Sequence, residues 1–211
     1  MRISYSQAMS YEQCPRLWCY RYMDQHEELP SEALEHGKLV HEQIENVLLG
    51  NTEPELAYQR WAQEFVDDLN AEDMQVELAF EKELEGHILN GKIDVSLVDV
   101  YLKDILVDWK TKGKKPDTIM QERTYNQLHL YGYAIGLEAG ATIIEAYPEW
   151  EMVNVGKYDP KHGERVAMGL VDVAGRAEHL RSVVDGADDV VGFASWKCKW
   201  CGFRDVCKDK K

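Results

Sequence analysis

Three side chains that could bind a divalent cation and an anion lie on two neighbouring predicted strands. Residues 91–100 are rich in Val and Ile and contain Asp94, whereas residues 105–110 form an apolar run that includes Asp108 and ends at Lys110. The pattern predicts two β-strands joined by a short polar turn. Side chains two apart project from one face of a strand, so Asp108 and Lys110 should point the same way. We expect Asp94 and Asp108 to share a divalent cation and Lys110 to face an anion.

A second set of candidate ligands is formed by cysteines. Cys198, Cys201 and Cys207 follow a C-x2-C-x5-C spacing, which in a cytosolic protein indicates metal binding rather than disulfides. A fourth ligand has to come from Cys14 or Cys19. Cys14 is favoured because the proline that follows it exposes it at a turn, whereas Cys19 lies among aromatic residues and is predicted to be buried.

Four thiolates fit either a structural zinc ion or an iron–sulfur cluster. Zinc ribbons usually supply two close pairs, so one cysteine plus three favours the cluster. Because the ligand set joins Cys14 to Cys207, the metal would close the fold as a clasp. Trp200, between two of the cysteines, is predicted to shield the cluster from solvent.

The chain as a whole predicts one domain. It has 211 residues, 45% of them hydrophobic, enough for one core. We expect a single domain over residues 1–211, in which residues 1–30 and 194–211 form the cysteine subregion. The sequence contains no uncharged apolar run that could span a bilayer and no signal-peptide pattern, which predicts a soluble, cytoplasmic protein.

Helices and strands alternate in a mixed order. The N-terminal half predicts a helix that begins at Ser4 with Gln7 in a capping box, a second helix from Pro15, and further helices over 30–50 and 55–70. Strands over 75–85, 91–100 and 105–110 form a meander. A helix over 118–136, strands over 141–150 and 152–158 and a helix over 160–184 follow. The fold class is therefore α/β, with a mixed central sheet flanked by helices.

Charge is distributed unevenly along an acidic chain of net charge −14. Residues 53–85 hold eleven acidic residues against two basic ones, a balance of −9, and form either a solvated surface or a face for a protein partner. Residues 196–211 hold six basic residues against two acidic ones, a balance of +4. A second basic cluster comprises Lys110, Lys112, Lys114 and Lys115. Positive charge thus gathers beside the candidate cation site and at the C-terminal cysteines, although a lysine-rich turn and a basic tail explain either cluster alone.

The motifs resemble those of the RecB-family exonucleases, within the PD-(D/E)XK nuclease superfamily. The resemblance covers nearly the full chain in the family's order. It is carried by Ser4-Tyr5-Ser6, Cys14-Pro15-Arg16, Tyr20-Arg21-Tyr22, Gly37-x-x-x-His41, Gly91-x-x-Asp94, Asp108-x-Lys110-Thr111 and Gln127-x-x-x-Tyr131. The terminal cysteines match the iron–sulfur branch, which includes the CRISPR-associated RecB-like exonucleases and the AddB nuclease domain.

This resemblance implies roles for individual residues. Mg²⁺ or Mn²⁺ would be bound by His41, Asp94, Asp108 and the Trp109 carbonyl, with Asp94, Asp108 and Lys110 as the catalytic residues. Gln127, Tyr131 and Lys112 would contact the substrate. Cys14, Cys198, Cys201 and Cys207 would hold a 4Fe–4S cluster, with zinc as the alternative. Without the other motifs, His41 would be read as a structural histidine, and Gln127 and Tyr131 as helix-packing residues.

The predicted function is hydrolysis of DNA by a bacterial or phage exonuclease, directed to 5′ ends of single strands. The alternative is a nuclease-like fold that binds DNA ends or a partner protein without cutting. The sequence leaves polarity, strand preference and oligomeric state open.

Overall fold

The computed structural model describes residues 1–28, 31–99, 101, 103–116, 120–193 and 196–207. These residues fall into two compact units, each assembled from segments that are far apart in sequence. The first unit comprises residues 1–31, 83–90 and 168–211, and the second comprises residues 32–82 and 91–167. No helix in the described ranges has the length and apolar character needed to cross a membrane. The prediction of one nuclease domain over 1–211 stays a prediction.

The first unit combines two short helices with the second half of a long one. A two-residue strand, β1 (Arg2–Ile3), pairs in parallel with Ile88 and Leu89 of β3 (His87–Asp99). Helices α1 (Tyr5–Gln13) and α2 (Pro15–Tyr22) follow, and residues 168–183 of α6 (Pro160–Val183) complete the helices. Tyr20 of α2 stacks on Phe203, with ring centroids 5.4 Å apart.

The second unit contains most of the mixed sheet. Its helices are α3 (Glu32–Leu48), α4 (Ala57–Asp68) and α5 (Glu122–Ile135), together with the start of α6. The strands are β2 (Ala71–Leu84), β3, β4 (Asp104–Trp109), β5 (Thr142–Tyr147) and β6 (Met152–Lys157). Strand β2 pairs with β3, and the order continues β3-β4-β5-β6. The pairing of β4 with β5 is parallel, whereas β3–β4 and β5–β6 are antiparallel.

Two apolar clusters of buried residues hold this unit together. One is built on Val95, Val107 and Ile144 and also contains Val40 of α3 and Ala62 of α4. The other is built on Ile93, Leu106 and Ile143 and contains Leu128 and Tyr131 of α5. Alternate residues of β4 enter alternate clusters, as the two-residue period of a strand requires. The functional candidates at the end of β4 are thereby anchored by strands buried on both faces.

The local chemistry of the helix starts is confirmed. Ser4 caps α1 and accepts a hydrogen bond from the Gln7 backbone N–H, while the Gln7 side chain accepts from the Ser4 N–H. Pro15 is the first residue of α2. Helix α5 begins at Glu122 and β2 begins at Ala71, a few residues from the predicted limits. The predicted starts at Pro30 and Thr118, residues 194–195 of the cysteine subregion and the last part of the basic tail lie outside the described residues.

His129 is a fully buried structural histidine, and we predict that it makes stability fall at low pH. Its Nδ1 lies 2.9 Å from the Tyr125 carbonyl oxygen, which can only accept, and its Nε2 accepts from the Asp159 N–H at 3.1 Å. The ring is therefore neutral, and a proton on Nε2 would oppose the Asp159 N–H. Burial, together with the neighbouring His162, lowers the pKa of His129 below the ordinary 6.5.

Because the folded state binds this proton less readily than the unfolded chain, the contribution of His129 is complete above pH 6.5 and is lost as the pH falls below that value. The measurement is thermal melting of the native protein and His129→Gln between about pH 7.5 and about pH 5.5. We expect the difference in melting temperature to shrink towards acid pH. A difference that stays constant with pH would show that His129 does not titrate on unfolding.

Candidate active site and cysteine site

Asp94 lies where the backbone ladder between β3 and β4 ends. The ladder runs from Val98–Asp104 to Val95–Val107. Beyond it, the Trp109 backbone N–H donates to Asp94 Oδ2 at 2.7 Å, so a carboxylate takes the place of the next backbone acceptor. This bond fixes the Asp94 side chain against the end of β4.

Asp108 and Lys110 form an ion pair on one face of the same strand end. Lys110 Nζ lies 2.5 Å from Asp108 Oδ2, and the Asp108 side chain is only 4% exposed. Burial raises the pKa of Asp108 to about 6, because Lys110 offsets only part of the cost of desolvation and the negative charge of Asp94 adds to it. Burial by itself would lower the pKa of Lys110, but the neighbouring Asp108, Asp94 and Glu145 raise it overall. Lys110 is therefore an ammonium at neutral pH.

His41 projects from α3 towards Asp94. Its Nδ1 lies 3.6 Å from Asp94 Oδ2, and its side chain is 34% exposed. Burial lowers the pKa of His41, but the interaction with Asp94 and the charge of Asp108 outweigh burial and raise it. His41 also lines an open groove of about 480 Å³ together with Gly37 and Thr111. The groove thus brings solvent to His41, the residue beside Asp94.

Gln127 and Tyr131 extend the network from α5. The Gln127 side chain accepts from Lys110 Nζ at 3.2 Å and donates through Nε2 to the Tyr131 hydroxyl at 2.6 Å. Burial, with Asp108 and Asp94 nearby, raises the pKa of Tyr131, so its hydroxyl stays protonated. The structure therefore brings the two motif residues of α5 to Lys110.

The other predicted residues are placed less centrally. The Trp109 ring is buried in the cluster around Val107, at the last position of β4. Lys112 follows on the loop, where its carbonyl accepts from the Trp150 indole at 2.9 Å and its Nζ lies 5.1 Å from the centre of the Tyr147 ring. Its ammonium is thus engaged by an aromatic ring, while Lys114 and Lys115 are exposed.

Glu145 is a charged residue of this region that sequence reasoning missed. It pairs directly with Asp108 in the parallel β4–β5 ladder and is 1% exposed. Its Oε2 accepts from Asn154 at 3.0 Å, and its charge contributes to raising the pKa of Lys110. The available signal was a single carboxylate within the apolar run of β5, at residues 142–147.

We predict that Gly91→Ala, a substitution beside the candidate site, lowers the free energy of unfolding. A Cβ at Gly91 would lie 2.8 Å from the Phe80 ring and 3.5 Å from the Tyr131 ring. Overpacking of this kind costs about 1–3 kcal/mol. Urea denaturation should show this loss, whereas the control Gly113→Ala, where nothing lies within 4 Å of the new Cβ, should be unaffected. Equal stability of the two variants would mean that Phe80 moves aside freely.

The donor set at the strand ends suits a hard divalent cation. Two carboxylates and a carbonyl supply oxygen, and the imidazole shifts the preference towards Mn²⁺. Asp108 Oδ2, fully enclosed, has no well-directed hydrogen bond among the described residues despite its ion pair with Lys110. In the described part of the chain, no three His, Cys, Asp or Glu side chains form a ready-made metal-binding group. The residues fit the ion by the chemistry of their donor atoms. In this arrangement Lys110 contacts Asp108, and the Trp109 N–H donates to Asp94.

All four candidate cysteine ligands belong to the first unit. Cys14 separates α1 from α2, and its Sγ accepts from the Phe193 N–H at 3.4 Å. Burial raises the pKa of the Cys201 thiol, and Cys207, Cys14 and Cys198 are close enough to raise it further. All five cysteines are in the described ranges, and none of them forms a disulfide there.

The sequence predicted that Cys19 is buried and that Trp200 shields the other cysteines from solvent. Cys19 is fully buried, as predicted, and burial raises its pKa to about 11. The prediction that Trp200 shields the cysteines is wrong, because its side chain is 75% exposed. The turns around Trp200 are closed by their own backbone hydrogen bonds, such as the 3.2 Å bond from the Cys201 N–H to the Cys198 carbonyl. The indole remains in solvent.

Comparison with known proteins places the chain in a superfamily. The model of the PD-(D/E)XK nuclease superfamily matches residues 2–73 and 54–208. The chain belongs to this superfamily. No curated protein matches it.

Two solved structures share its fold. The crystal structure of SSO0001 is 18% identical, with a TM-score of 0.54, over 100% of this chain and 87% of the other. A candidate exonuclease from Eubacterium rectale is 15% identical, with a TM-score of 0.55, over 88% of this chain and 83% of the other. The mixed α/β sheet flanked by helices is thus confirmed as the fold of this superfamily.

Proposed function

We propose that the chain is a Mg²⁺- or Mn²⁺-dependent deoxyribonuclease that acts as an exonuclease. One observation carries the proposal. A single network of contacts links His41 of α3, Asp94 of β3, Asp108 of β4 and Lys110, which follows β4. Membership of a nuclease superfamily implies DNA as the substrate, and one structural relative is described as a candidate exonuclease.

The metal would be held by His41, Asp94, Asp108 and the Trp109 carbonyl. When bound, such a cation lowers the pKa of water and neutralises charge on the phosphate. The protein prepares for it by keeping two carboxylates close together. Burial, and to a smaller extent the charge of Asp94, raises the pKa of Asp108, and added positive charge would stabilise its carboxylate.

Lys110 acts in this proposal as a fixed positive charge. Its raised pKa keeps the ammonium protonated, which makes it a donor to the scissile phosphate or to the attacking water rather than a general base. Asp108 and Gln127 hold Nζ from two sides, at 2.5 Å and 3.2 Å. The lysine side chain is therefore already oriented before substrate binds, so little of its conformational entropy is lost on binding.

Gln127, Tyr131 and Lys112 are proposed to contact the DNA strand. The Gln127–Tyr131 hydrogen bond makes the two side chains one rigid unit beside Lys110. A phosphate that approaches Lys110 therefore meets a protonated tyrosine hydroxyl and an amide. Lys112 lies farther along the loop and adds positive charge there.

We also propose that Cys14, Cys198, Cys201 and Cys207 hold a 4Fe–4S cluster. Supporting it are the proximity of the four thiols and the Phe193 N–H that donates to Cys14, a type of bond that tunes such clusters. Bound there, a cluster supplies a cross-link between distant segments. Zinc is the alternative, and metal analysis separates the two.

The remaining predictions belong to this proposal. We place the protein in the cytoplasm of a bacterial cell or phage-infected host, as a single nuclease domain acting on 5′ ends of single-stranded DNA. Exposed acidic residues in 53–85 remain the candidate face for a protein partner.

The test is a nuclease assay with strands labelled at either end. Single- and double-stranded DNA, each labelled at the 5′ or 3′ terminus, is incubated with EDTA, Mg²⁺ or Mn²⁺. We expect hydrolysis only with a divalent cation, and release of a 5′ label as short products from single strands. A pure, correctly folded preparation that binds DNA but cuts nothing with either cation would support the non-cleaving alternative. Early release of a 3′ label would reverse the polarity alone.

A further inference from the structure

The turns around the C-terminal cysteines expose an aromatic ring flanked by positive charge. Trp200 is 75% exposed and Phe193 is 57% exposed, whereas Trp18 and Trp109 are buried. Lys199 Nζ lies 5.2 Å from the centre of the Trp200 ring. Lys199 and Arg204 are exposed as well. Exposed aromatic rings combined with basic side chains are the means by which many proteins bind single-stranded nucleic acid.

These residues are held in place by a compact set of turns. The helical turn Trp196–Trp200 is followed by turns in which the Arg204 N–H donates to the Cys201 carbonyl at 3.1 Å and the Cys207 N–H to the Phe203 carbonyl at 3.0 Å. Phe203 is buried against Tyr20. The exposed ring therefore projects from a fixed base rather than from a frayed tail.

We infer that Lys199, Trp200 and Arg204, with Phe193 beside the cysteines, form a binding platform for single-stranded DNA. This platform binds a base by stacking on the free face of the Trp200 indole, and it contacts the adjoining phosphates through Lys199 and Arg204. The inference rests on the proposed function only for the identity of its ligand. The platform belongs to the first unit and is distinct from the residues around Asp108.

Charge favours DNA over a protein partner. The chain carries −14 overall, yet residues 196–211 carry six basic residues against two acidic ones. A polyanion would be repelled by most of such a chain and attracted to this segment. Lysine is depleted at the centres of protein interfaces, where its ammonium would have to be desolvated. Proteins that bind single-stranded nucleic acid instead combine aromatic rings, on which bases stack, with positively charged side chains along the backbone.

The experiment separates stacking from charge. Anisotropy of a labelled oligothymidylate is compared with that of an abasic strand of equal length, in EDTA so that no cleavage occurs. Trp200→Ala should weaken binding of the oligothymidylate by about fivefold to a hundredfold, the effect of losing one stacked base, and leave the abasic strand unaffected. Trp200→Phe should retain most of the affinity. Lys199→Ala should lower the slope of log K against log salt by about 0.7 for either strand.

A matched control is Tyr101→Ala, which removes a ring that is 79% exposed in the turn between β3 and β4, away from the C-terminal cysteines in the sequence. It should bind both strands like the native protein. If Trp200→Ala fails to fold, Trp200→Phe is compared with Trp200→Leu, which has similar apolar bulk but no aromatic face.

Two results would overturn the platform. One is equal weakening of both strands, or of neither, by Trp200→Ala. The other is an oligomer of the native protein that sedimentation shows to dissociate in Trp200→Ala while DNA binding stays unchanged, which would make the surface an interface between copies. Since binding is measured without a cation, neither result affects the nuclease assay, and absence of cleavage does not affect the binding measurement.

Discussion

Lys110→Ala is expected to reduce the rate of DNA hydrolysis by about 10²- to 10³-fold, the usual effect of removing one preorganised donor from a developing negative charge. Asp108→Asn should be at least as damaging, because it removes a proposed metal ligand and the partner of Lys110. Rates are measured at saturating Mn²⁺ and DNA. The control is Lys103→Ala, an exposed lysine in the turn between β3 and β4, which should retain full activity. A Lys110→Ala enzyme within a fewfold of native would refute the role of the ammonium.

The same two residues make a prediction about stability. Lys110→Ala leaves a carboxylate that is 4% exposed without its ion-pair partner, which costs about 3 kcal/mol. Adding Asp108→Asn to that variant removes the unpaired charge and should restore most of the loss. Urea denaturation of the single and double variants tests this, and it distinguishes loss of chemistry from loss of structure. A double variant less stable than Lys110→Ala would show that Asp108 contributes through other contacts.

Cys14→Ala is expected to lose the bound metal and to lower the melting temperature by about 10–20 °C. The estimate takes the chain-entropy value of about 4–5 kcal/mol for closing a loop of more than a hundred residues and about 2–4 °C per kcal/mol for a chain of this size. The measurements are iron and zinc content, visible absorbance and thermal melting of anaerobic protein. Iron with broad visible absorbance identifies the cluster, whereas zinc alone is colourless.

The control for that prediction is Cys19→Ala, five residues away. Cys19 is fully buried and its pKa is raised to about 11, so its thiol is a packing group and no thiolate. This variant should keep its metal and lose only about 1 kcal/mol, as for a small cavity. Metal retained by Cys14→Ala but lost by Cys19→Ala would show that Cys19 is the ligand and Cys14 is not.

Features fixed by local chemistry were predictable from the sequence. The capping box at Ser4 and the proline at the start of α2 depend on neighbours within a few residues, and both are confirmed. The meander was predictable as well, because alternating apolar residues and Gly86 mark its first turn, where the backbone has φ of 75°.

Features that depend on distant pairing were not predictable. Strand β1 has two residues, and only its pairing with Ile88 and Leu89 defines it. The alignment of Glu145 with Asp108 requires the parallel register of β4 and β5, which are separated by α5. The exposure of Trp200 likewise follows from turns whose direction no periodicity encodes. The motif residues indicated the chemistry, while the distances between them are set by the fold.

The discontinuous make-up of the first unit has a consequence for synthesis on the ribosome. Helices α1 and α2 emerge early, but most of the segments assigned to the same unit, residues 168–207, are translated last. The apolar surfaces of Leu17, Trp18 and Tyr20 therefore remain exposed while some 150 residues are added at about 5–20 per second. The nascent chain spends several seconds or more in this state, a period in which chaperones would have their greatest opportunity to bind it.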